Sequence, residues 1–255
     1  MKKILSTLAL GAAITTVASA DIMRLEMGGG VWQQSPSGTV TYTDTTTSAY
    51  GTYTSSKKDY NGAYVWMLLK HPLPIIPNLR LEYTKIKDEG TAKGSFEDFS
   101  TTSTTARFDM KQYDIIPYYN LLDNTFWATL DVGIDIKVLD TTFEADSVQI
   151  DGVGALTKYT DSKTVAIPMA YGRARVEIPA TGFGLEADAK YITYDGSTVY
   201  DVRAKIDYTF DISPVIQPGI EVGYRAQKFD IKTDDDKTKM NMDFTGFYAG
   251  LMLRF

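Results

Sequence analysis

The chain has 255 residues, of which 44% are hydrophobic and 12% aromatic, with a formal net charge of −6 and no cysteine. This composition is ample for a packed structure and is not that of a disordered chain. The absence of cysteine excludes disulfides, metal–thiolate sites and thiol catalysis. An acidic chain without a basic block is also a poor candidate for binding nucleic acid.

Residues 1–20 have the pattern of a secretory signal peptide. Lysines at positions 2 and 3 precede an uncharged stretch over 4–17, and "ASA" at 18–20 has the small-x-small form that signal peptidases accept. The apolar stretch is shorter than the roughly 20 residues of a spanning helix, which disfavours the alternative of a membrane anchor. We therefore expect a signal peptide at 1–20 and one mature domain at 21–255.

The mature sequence alternates between apolar and polar residues in one segment after another. In 198–210, for example, Val202 and Ile206 fall on one face, and Arg203 and Lys205 fall on the other. Because successive side chains of a strand point to opposite faces, this period of two predicts strands with one apolar and one charged face. We predict ten strands, at about 21–34, 59–70, 78–88, 105–119, 125–139, 163–178, 183–194, 198–211, 215–230 and 240–255.

Two features fit this pattern less well. The segment 105–119 keeps the charges at 107–111 in one phase and then changes phase near Gln112, which predicts a β-bulge. Proline at 168 and 218 is unusual for central strands.

Short and long connections alternate along the chain. Short links with proline or asparagine follow the second, fourth, sixth and eighth strands, whereas longer polar links follow most of the others. Transmembrane β-barrels have short periplasmic turns and longer extracellular loops. We therefore expect an all-β fold, a closed antiparallel transmembrane β-barrel of about ten strands, with eight or twelve as alternatives. Its long loops, rich in Thr, Ser and Tyr, are expected to be solvated and mobile.

A water-soluble barrel with its apolar face inward would alternate in the same way. The charged face, however, carries positive and negative residues in balance, and charges inside a barrel must pair because an unpaired buried charge costs several kcal/mol. We therefore predict a lumen network of Arg24, Glu26, Arg107, Asp109, Asp131, Asp135, Arg173, Arg175, Glu177, Glu186, Asp188, Arg203, Lys205, Asp207, Glu221 and Arg225. Further charged residues on the same predicted face are Arg80, Glu82, Lys111, Lys137, Lys190 and Asp201. A girdle of aromatic residues is predicted beside the short turns, at Tyr119, Phe126, Phe183, Phe210 and Phe255.

The C-terminal stretch "FYAGLMLRF" (247–255) has one apolar face, made of Phe247, Ala249, Leu251, Leu253 and Phe255. This alternating strand with a terminal phenylalanine resembles the recognition signal that bacterial outer-membrane barrels present to their assembly machinery. The resemblance implies export through the periplasm to the outer membrane and recognition by the barrel-assembly machinery. It also implies contact with outer-membrane lipid and lipopolysaccharide, and it leaves the oligomeric state open.

Few residues are candidates for catalysis. His71 is the only histidine and lies beside a proline at a predicted periplasmic turn. Ten-stranded outer-membrane proteases resemble this chain in strand number, but that family uses a histidine with acidic partners at the extracellular rim. Outer-membrane phospholipases and acyltransferases pair a histidine with a serine. We therefore predict no catalytic residue and no cofactor.

An acidic loop near the C-terminus is a possible cation site. Asp230, Asp234, Asp235 and Asp236 lie close together in the sequence, and carboxylate oxygens bind calcium or magnesium. The spacing lacks the EF-hand pattern, which favours an ordinary solvated loop. Divalent bridging to lipopolysaccharide phosphates is a hypothesis for this loop.

A ten-stranded barrel is narrow, and wide aqueous channels appear at about 16 strands. We therefore expect a non-enzymatic envelope or surface-binding protein with a charge-filled lumen. The alternatives are a narrow porin-like channel for small solutes and an outer-membrane hydrolase.

Overall fold

The computed structural model describes residues 23–73, 75–150, 152–213, 215–233 and 237–255, with residues 124 and 125 described as backbone only. The predicted signal peptide lies outside these ranges. Within them, no helix is long and apolar enough to span a bilayer. The strands are β1 (Arg24–Asp44), β2 (Ala49–Ser55), β3 (Tyr60–Lys70), β4 (Asn78–Ser95), β5 (Ser100–Thr125), β6 (Ala128–Ile150), β7 (Gly154–Glu177), β8 (Phe183–Tyr194), β9 (Ser197–Thr209), β10 (Gln217–Lys232) and β11 (Thr238–Arg254).

Ten of these strands close into a ring of antiparallel pairs. The ring runs from β1 through β3 to β11 in sequence order, and β11 pairs back onto β1. At the seam, the backbone N–H of Phe255 donates to the carbonyl of Leu25 at 2.9 Å. Closure pairs the first strand with the last, so neither terminal strand is left with a free edge along its membrane-spanning part, where lipid could not satisfy it. The prediction of an all-β, closed antiparallel barrel of about ten strands is confirmed.

β2, the strand outside this ring, lies at the end of the barrel that the sequence predicts to be extracellular. β2 pairs with residues 39–44 of β1 and with residues 90–94 of β4. All of these residues lie in segments that the sequence predicts to be loops. Other strands also continue into the expected loops: β5 has 26 residues and β7 has 24. The expectation of long solvated loops is therefore wrong for these segments, because their Thr- and Tyr-rich sequences suit strands and find pairing partners.

The outward face of the barrel changes from apolar to charged at one height. On β6, the outward residues Leu130, Val132, Ile134 and Ile136 are exposed, Val138 is half-exposed, and the next outward residue is Asp140. The stretch 130–138 matches the roughly 9–11 residues with which a strand crosses a bilayer. In the register of the sheet, Asp140 is opposite Lys111. We place the outer boundary of the membrane at this height.

The inward face changes in the opposite sense at the same height. On β5, the inward residues are Asp114 and Gln112 below the boundary, then Met110 and Phe108 above it. Above the boundary the outer surface meets water, so apolar side chains turn inward. They form an apolar core that we call the lobe core, made of Tyr53, Ile86, Ala92, Phe99, Ala106, Met110, Leu139, Ala145, Val148, Phe229, Met242 and Phe244. We call the part of the molecule above the boundary the extracellular lobe.

The change of phase near Gln112 reflects this exchange of apolar and polar residues between the two faces, so the predicted β-bulge is wrong. β4 and β5 pair in one unbroken register from Asn78–Tyr118 to Ala92–Thr104. Arg107 and Asp109 lie outside the barrel, half-exposed, where they pair with Glu89 and Lys87 at 3.3 Å each. The prediction that Arg107, Asp109 and Lys111 face the lumen is therefore also wrong. β5 keeps its register with β4 past Gln112, and its outward face passes from lipid into water there, so these charges lie on the outside.

Aromatic side chains mark both boundaries of the apolar band. Near the periplasmic turns, the Tyr208 ring contacts those of Phe183 and Phe210, with centroids 4.8 and 5.0 Å away. Near the outer boundary, the Tyr83 and Tyr113 rings have centroids 5.3 Å apart. Of the predicted girdle, Tyr119, Phe126, Phe183 and Phe210 are exposed and Phe255 is half-buried. These girdles are typical of transmembrane barrels.

Candidate functional site

The lumen between the periplasmic turns and the outer boundary is filled by charged side chains. Twelve members of the predicted network are buried there: Glu26, Asp131, Asp135, Arg173, Arg175, Glu186, Asp188, Arg203, Lys205, Asp207, Glu221 and Arg225. Two more, Arg24 and Glu177, are half-buried at the periplasmic mouth and pair with each other at 2.9 Å. The remaining two, Arg107 and Asp109, belong to the outer surface of the lobe.

The lumen also holds charged residues beyond that network. Arg80, Glu82, Lys137, Lys190 and Asp201, which share the predicted charged face, are buried within it. Asp114 and Arg254 were missed. Asp114 was missed because only the charges of β5 that precede the change of phase near Gln112 were assigned to the lumen. Arg254 was missed because only the apolar face of the terminal strand was interpreted.

Several hydrogen bonds cross the lumen from wall to wall. The side chains of Gln112 on β5 and Gln227 on β10 exchange hydrogen bonds of 3.0 and 3.2 Å, although these strands lie on opposite sides of the ring. Glu82 on β4 likewise accepts hydrogen bonds from Arg203 on β9 and from Lys190 on β8, the latter at 2.7 Å. The lumen is therefore bridged directly by side chains.

Glu186 is shared by several cations. Its carboxylate accepts a hydrogen bond from Arg173 at 2.7 Å, and the guanidinium groups of Arg80 and Arg175 lie at 3.3 Å. A buried charge is tolerated only when it is paired and hydrogen-bonded. Glu186 therefore compensates positive charge from two different parts of the wall.

A tryptophan completes the middle of the lumen. The Trp66 ring has two cations near it, the Arg80 guanidinium at 5.4 Å and the Lys205 ammonium at 4.6 Å from its centroid, and its indole N–H donates to Glu221 at 2.9 Å. A Cβ added at Gly28 would lie 2.6 Å from this ring. The glycine thus provides the space in which the indole lies against the wall.

One cavity in the middle of the lumen is small. The cavity beside Trp32, Trp66 and Glu221 has a volume of about 10 Å³, close to the minimum that holds one water molecule. At this height the barrel is closed by its own side chains.

Asp135 is less well satisfied than its neighbours. Among the described residues neither of its buried carboxylate oxygens has a hydrogen-bond partner, and the ammonium groups of Lys137 and Lys190 each lie 4.0 Å away. Asp135 is therefore held by charge attraction without a directed bond.

In the extracellular lobe, a buried carboxylate fastens β2 to β4. Asp88 accepts hydrogen bonds from the Tyr53 hydroxyl at 2.7 Å and the Ser55 hydroxyl at 2.9 Å. Burial raises the pKa of Asp88 above its ordinary value, although these two hydrogen bonds act in the opposite direction. Ionisation of Asp88 therefore makes the stability of the lobe depend on pH.

We expect the attachment of β2 to weaken as the pH rises. Because the folded-state pKa of Asp88 is raised, its stabilising contribution is fully present below the ordinary Asp pKa and is lost as the pH rises through the raised value. Hydrogen-exchange protection factors of the β2 amides should therefore fall across that window, and Asp88→Asn should remove the decline. An unchanged pH dependence in the variant would contradict this role.

The only histidine is a turn residue, as the sequence indicates. His71 lies between β3 and β4, where its Nε2 is 3.0 Å from the Pro77 carbonyl and its Nδ1 accepts the Leu73 N–H at 3.2 Å. Both ring nitrogens are therefore engaged by backbone groups at the periplasmic end.

The predicted cation loop is only partly described. Asp230 lies on β10, opposite Asn241 and Thr198, whereas residues 234–236 lie outside the described ranges. Within those ranges, no group of three or more acidic or histidine side chains is arranged to hold a metal ion. The cation site stays a prediction.

The C-terminal apolar face lies on the outside of the barrel wall. Phe247, Ala249, Leu251 and Leu253 are exposed on β11, and Phe255 is half-buried at the seam with β1. The barrel therefore turns this face toward lipid.

The structure is similar to solved outer-membrane barrels. The outer membrane protease OmpT from Escherichia coli has a TM-score of 0.54 and 10% identity, covering 94% of this chain and 99% of that chain. The translocator domain of the autotransporter NalP from Neisseria meningitidis has a TM-score of 0.40 and 9% identity, over 100% and 96% of the two chains. A Pseudomonas aeruginosa FadL homologue has a TM-score of 0.32 and 9% identity, over 92% and 90%.

The sequence matches no protein-family model and no curated protein. At 10% identity, the likeness to OmpT concerns the fold alone. The ring of strands, the apolar outer band with its aromatic girdles and the charged lumen agree with that fold. Together they show that this chain is a β-barrel of the bacterial outer-membrane type.

Proposed function

We propose that this protein is a non-enzymatic outer-membrane barrel with a sealed lumen, which acts by binding other molecules through its extracellular lobe. The observation that carries the proposal is the set of hydrogen bonds across the lumen, such as those between Gln112 and Gln227. Side chains joined from opposite walls would block the passage of a solute. The lobe is then the part of the molecule that remains accessible from outside the cell.

The alternative of an outer-membrane hydrolase has little support. Both His71 ring nitrogens are engaged by backbone at the periplasmic end, whereas catalysis at a histidine needs a free nitrogen beside the reacting group. OmpT is a protease, but a likeness in fold does not transfer its activity. We therefore propose a binding role without chemistry.

Three further parts of the proposal concern the envelope. The barrel-assembly machinery would recognise the outward apolar face of β11, which includes Phe247 and Leu251. Outer-membrane lipid and lipopolysaccharide would surround the apolar band. The acidic loop at 230–236 would contact lipopolysaccharide phosphates through a divalent cation.

The sealed lumen is tested by single-channel recording in planar bilayers. We expect the unmodified protein to show no steady, ion-selective openings. A double variant, Glu82→Ala with Arg203→Ala, removes a matched pair of opposite charges that crosses the lumen, and we expect it to conduct measurably. Steady openings of the unmodified protein would contradict the proposal and favour the narrow porin-like channel.

A further inference from the structure

β7 has a neighbour on both sides over only part of its length. It pairs with β6 along its whole length, from Ile150–Gly154 to Ala128–Val176. It pairs with β8 only from Ala170–Tyr191 to Glu177–Gly184. In the described chain, residues 154–169 of β7 therefore have β6 on one side and no strand on the other, and we call this segment the β7 edge.

The backbone groups that face the open side of the β7 edge follow from the hydrogen bonds at its lower end. The N–H of Glu177 donates toward β6, to the Trp127 carbonyl at 2.9 Å, whereas the N–H of Ile178 donates toward β8, to the Phe183 carbonyl at 2.9 Å. The register with β6 does not shift along β7. Since alternate residues of a strand point their backbone groups to the same side, the even-numbered residues from 156 to 166 face the open side.

The side chains in the middle of the β7 edge are uncovered as well. Every residue from 160 to 166 is exposed, so both faces of the strand are free. The outward face carries Thr160, Ser162 and Thr164, and the inward face carries Asp161, Lys163 and Val165. A fold normally shortens, bends or covers such an edge, because its free N–H and C=O groups are a template for another strand.

We propose that the β7 edge binds an extended segment of another polypeptide, which is added to the sheet as an antiparallel strand. The inference rests on the proposed binding role of the lobe and specifies the kind of partner. The free N–H and C=O groups would supply the affinity, as in other cases of strand addition. Opposite charges across a strand pair are stabilising, so the partner would carry a basic residue opposite Asp161 and an acidic residue opposite Lys163.

A second copy of this chain in the same membrane does not fit the β7 edge. Both copies would run β7 from the extracellular end toward the periplasmic end, so their edges could not lie antiparallel. Lys158, Lys163 and Pro168 are also residue types that protect exposed edges against unselective pairing. The edge therefore favours a polypeptide with matching charges over a copy of itself.

A synthetic peptide with the sequence of residues 156–168 is a suitable probe, because a free peptide can take the antiparallel direction. Centred on Ser162, it would place its own lysine opposite Asp161 and its own aspartate opposite Lys163. We expect a fluorescent form of this peptide to bind saturably to the folded full-length protein in detergent micelles, as measured by fluorescence anisotropy.

A pair of variants at one position tests whether the backbone edge is the site. Ser162→Pro removes an edge-facing N–H and leaves the hydrogen bonds to β6 in place, so the dissociation constant should rise about five-fold, which corresponds to one hydrogen bond. Ser162→Ala keeps the N–H and should stay within about two-fold. Gel mobility before and after boiling verifies that each variant is folded.

The register between the peptide and the β7 edge is tested by exchanging the charges of an opposed pair. Asp161→Lys in the protein should weaken binding of the peptide, and a peptide in which the lysine opposite that position is replaced by aspartate should restore it. Absence of saturable binding, or equal effects of the proline and alanine variants, would overturn the inference. Self-association in micelles without peptide binding would also overturn it, in favour of a second copy. None of these outcomes bears on the sealed lumen, which conductance tests separately.

Discussion

Glu186→Ala is expected to destabilise the folded barrel by about 3–5 kcal/mol, the usual cost of removing one partner from a buried ion pair. The carboxylate compensates Arg80, Arg173 and Arg175, and the ammonium of Lys205 lies 3.7 Å away. Its loss leaves positive charge in a lumen that water barely enters. Urea unfolding of the protein in lipid vesicles, followed by tryptophan fluorescence and gel mobility, measures the change.

A matched control is available on the outside of the lobe. Glu89 pairs with Arg107 at 3.3 Å, but both side chains are half-exposed. Glu89→Ala should therefore change the free energy of unfolding by less than about 1 kcal/mol. Equal effects of Glu186→Ala and Glu89→Ala would mean that the lumen is far wetter than its packing indicates.

Ile134→Arg is expected to cost about 2–4 kcal/mol, the range for arginine on the lipid face near the bilayer midplane. Ile134 is 58% exposed and lies in the middle of the apolar stretch of β6. The same unfolding measurement in vesicles reports the cost. The arginine would have to reach a distant headgroup region or remain in hydrocarbon.

The control for this variant lies on the same face of the same strand. Thr142 is above the outer boundary, next to the outward residue Asp140, so Thr142→Arg should change stability by no more than about 0.5 kcal/mol. A large cost at both positions would show that the boundary has been placed too low. A negligible cost at both would show that the outward face of β6 does not meet lipid.

Alternation along the chain predicted the barrel, its strand number and most of the buried charges. It did not predict where the medium outside the barrel changes. On β5 the same face carries Arg107 and Asp109 in water and then Tyr113 and Ile115 in lipid. A period of two defines two faces of a strand, but it does not tell which solvent touches each face, so the change resembled a slip in register.

The extracellular lobe was missed for a related reason. Its strands alternate Thr, Ser and Tyr with small apolar residues such as Ala92 and Ala106, which gives little contrast between the two faces. The pairing of β2 with β1 and β4 and the early end of β8 depend on where neighbouring strands stop. The hydrogen bonds across the lumen likewise depend on how the strands are staggered around the ring. None of these relations is encoded in a local pattern.

The bonds across the lumen have a consequence for how the protein is made. Arg203 and Glu82 are 121 residues apart in the sequence, and Gln227 and Gln112 are 115 residues apart. Such contacts form only after a large part of the chain has been arranged, and long-range contacts slow folding. A partly inserted chain would still have its ionic side chains unmatched, so insertion and internal pairing should be completed together, in a single cooperative step.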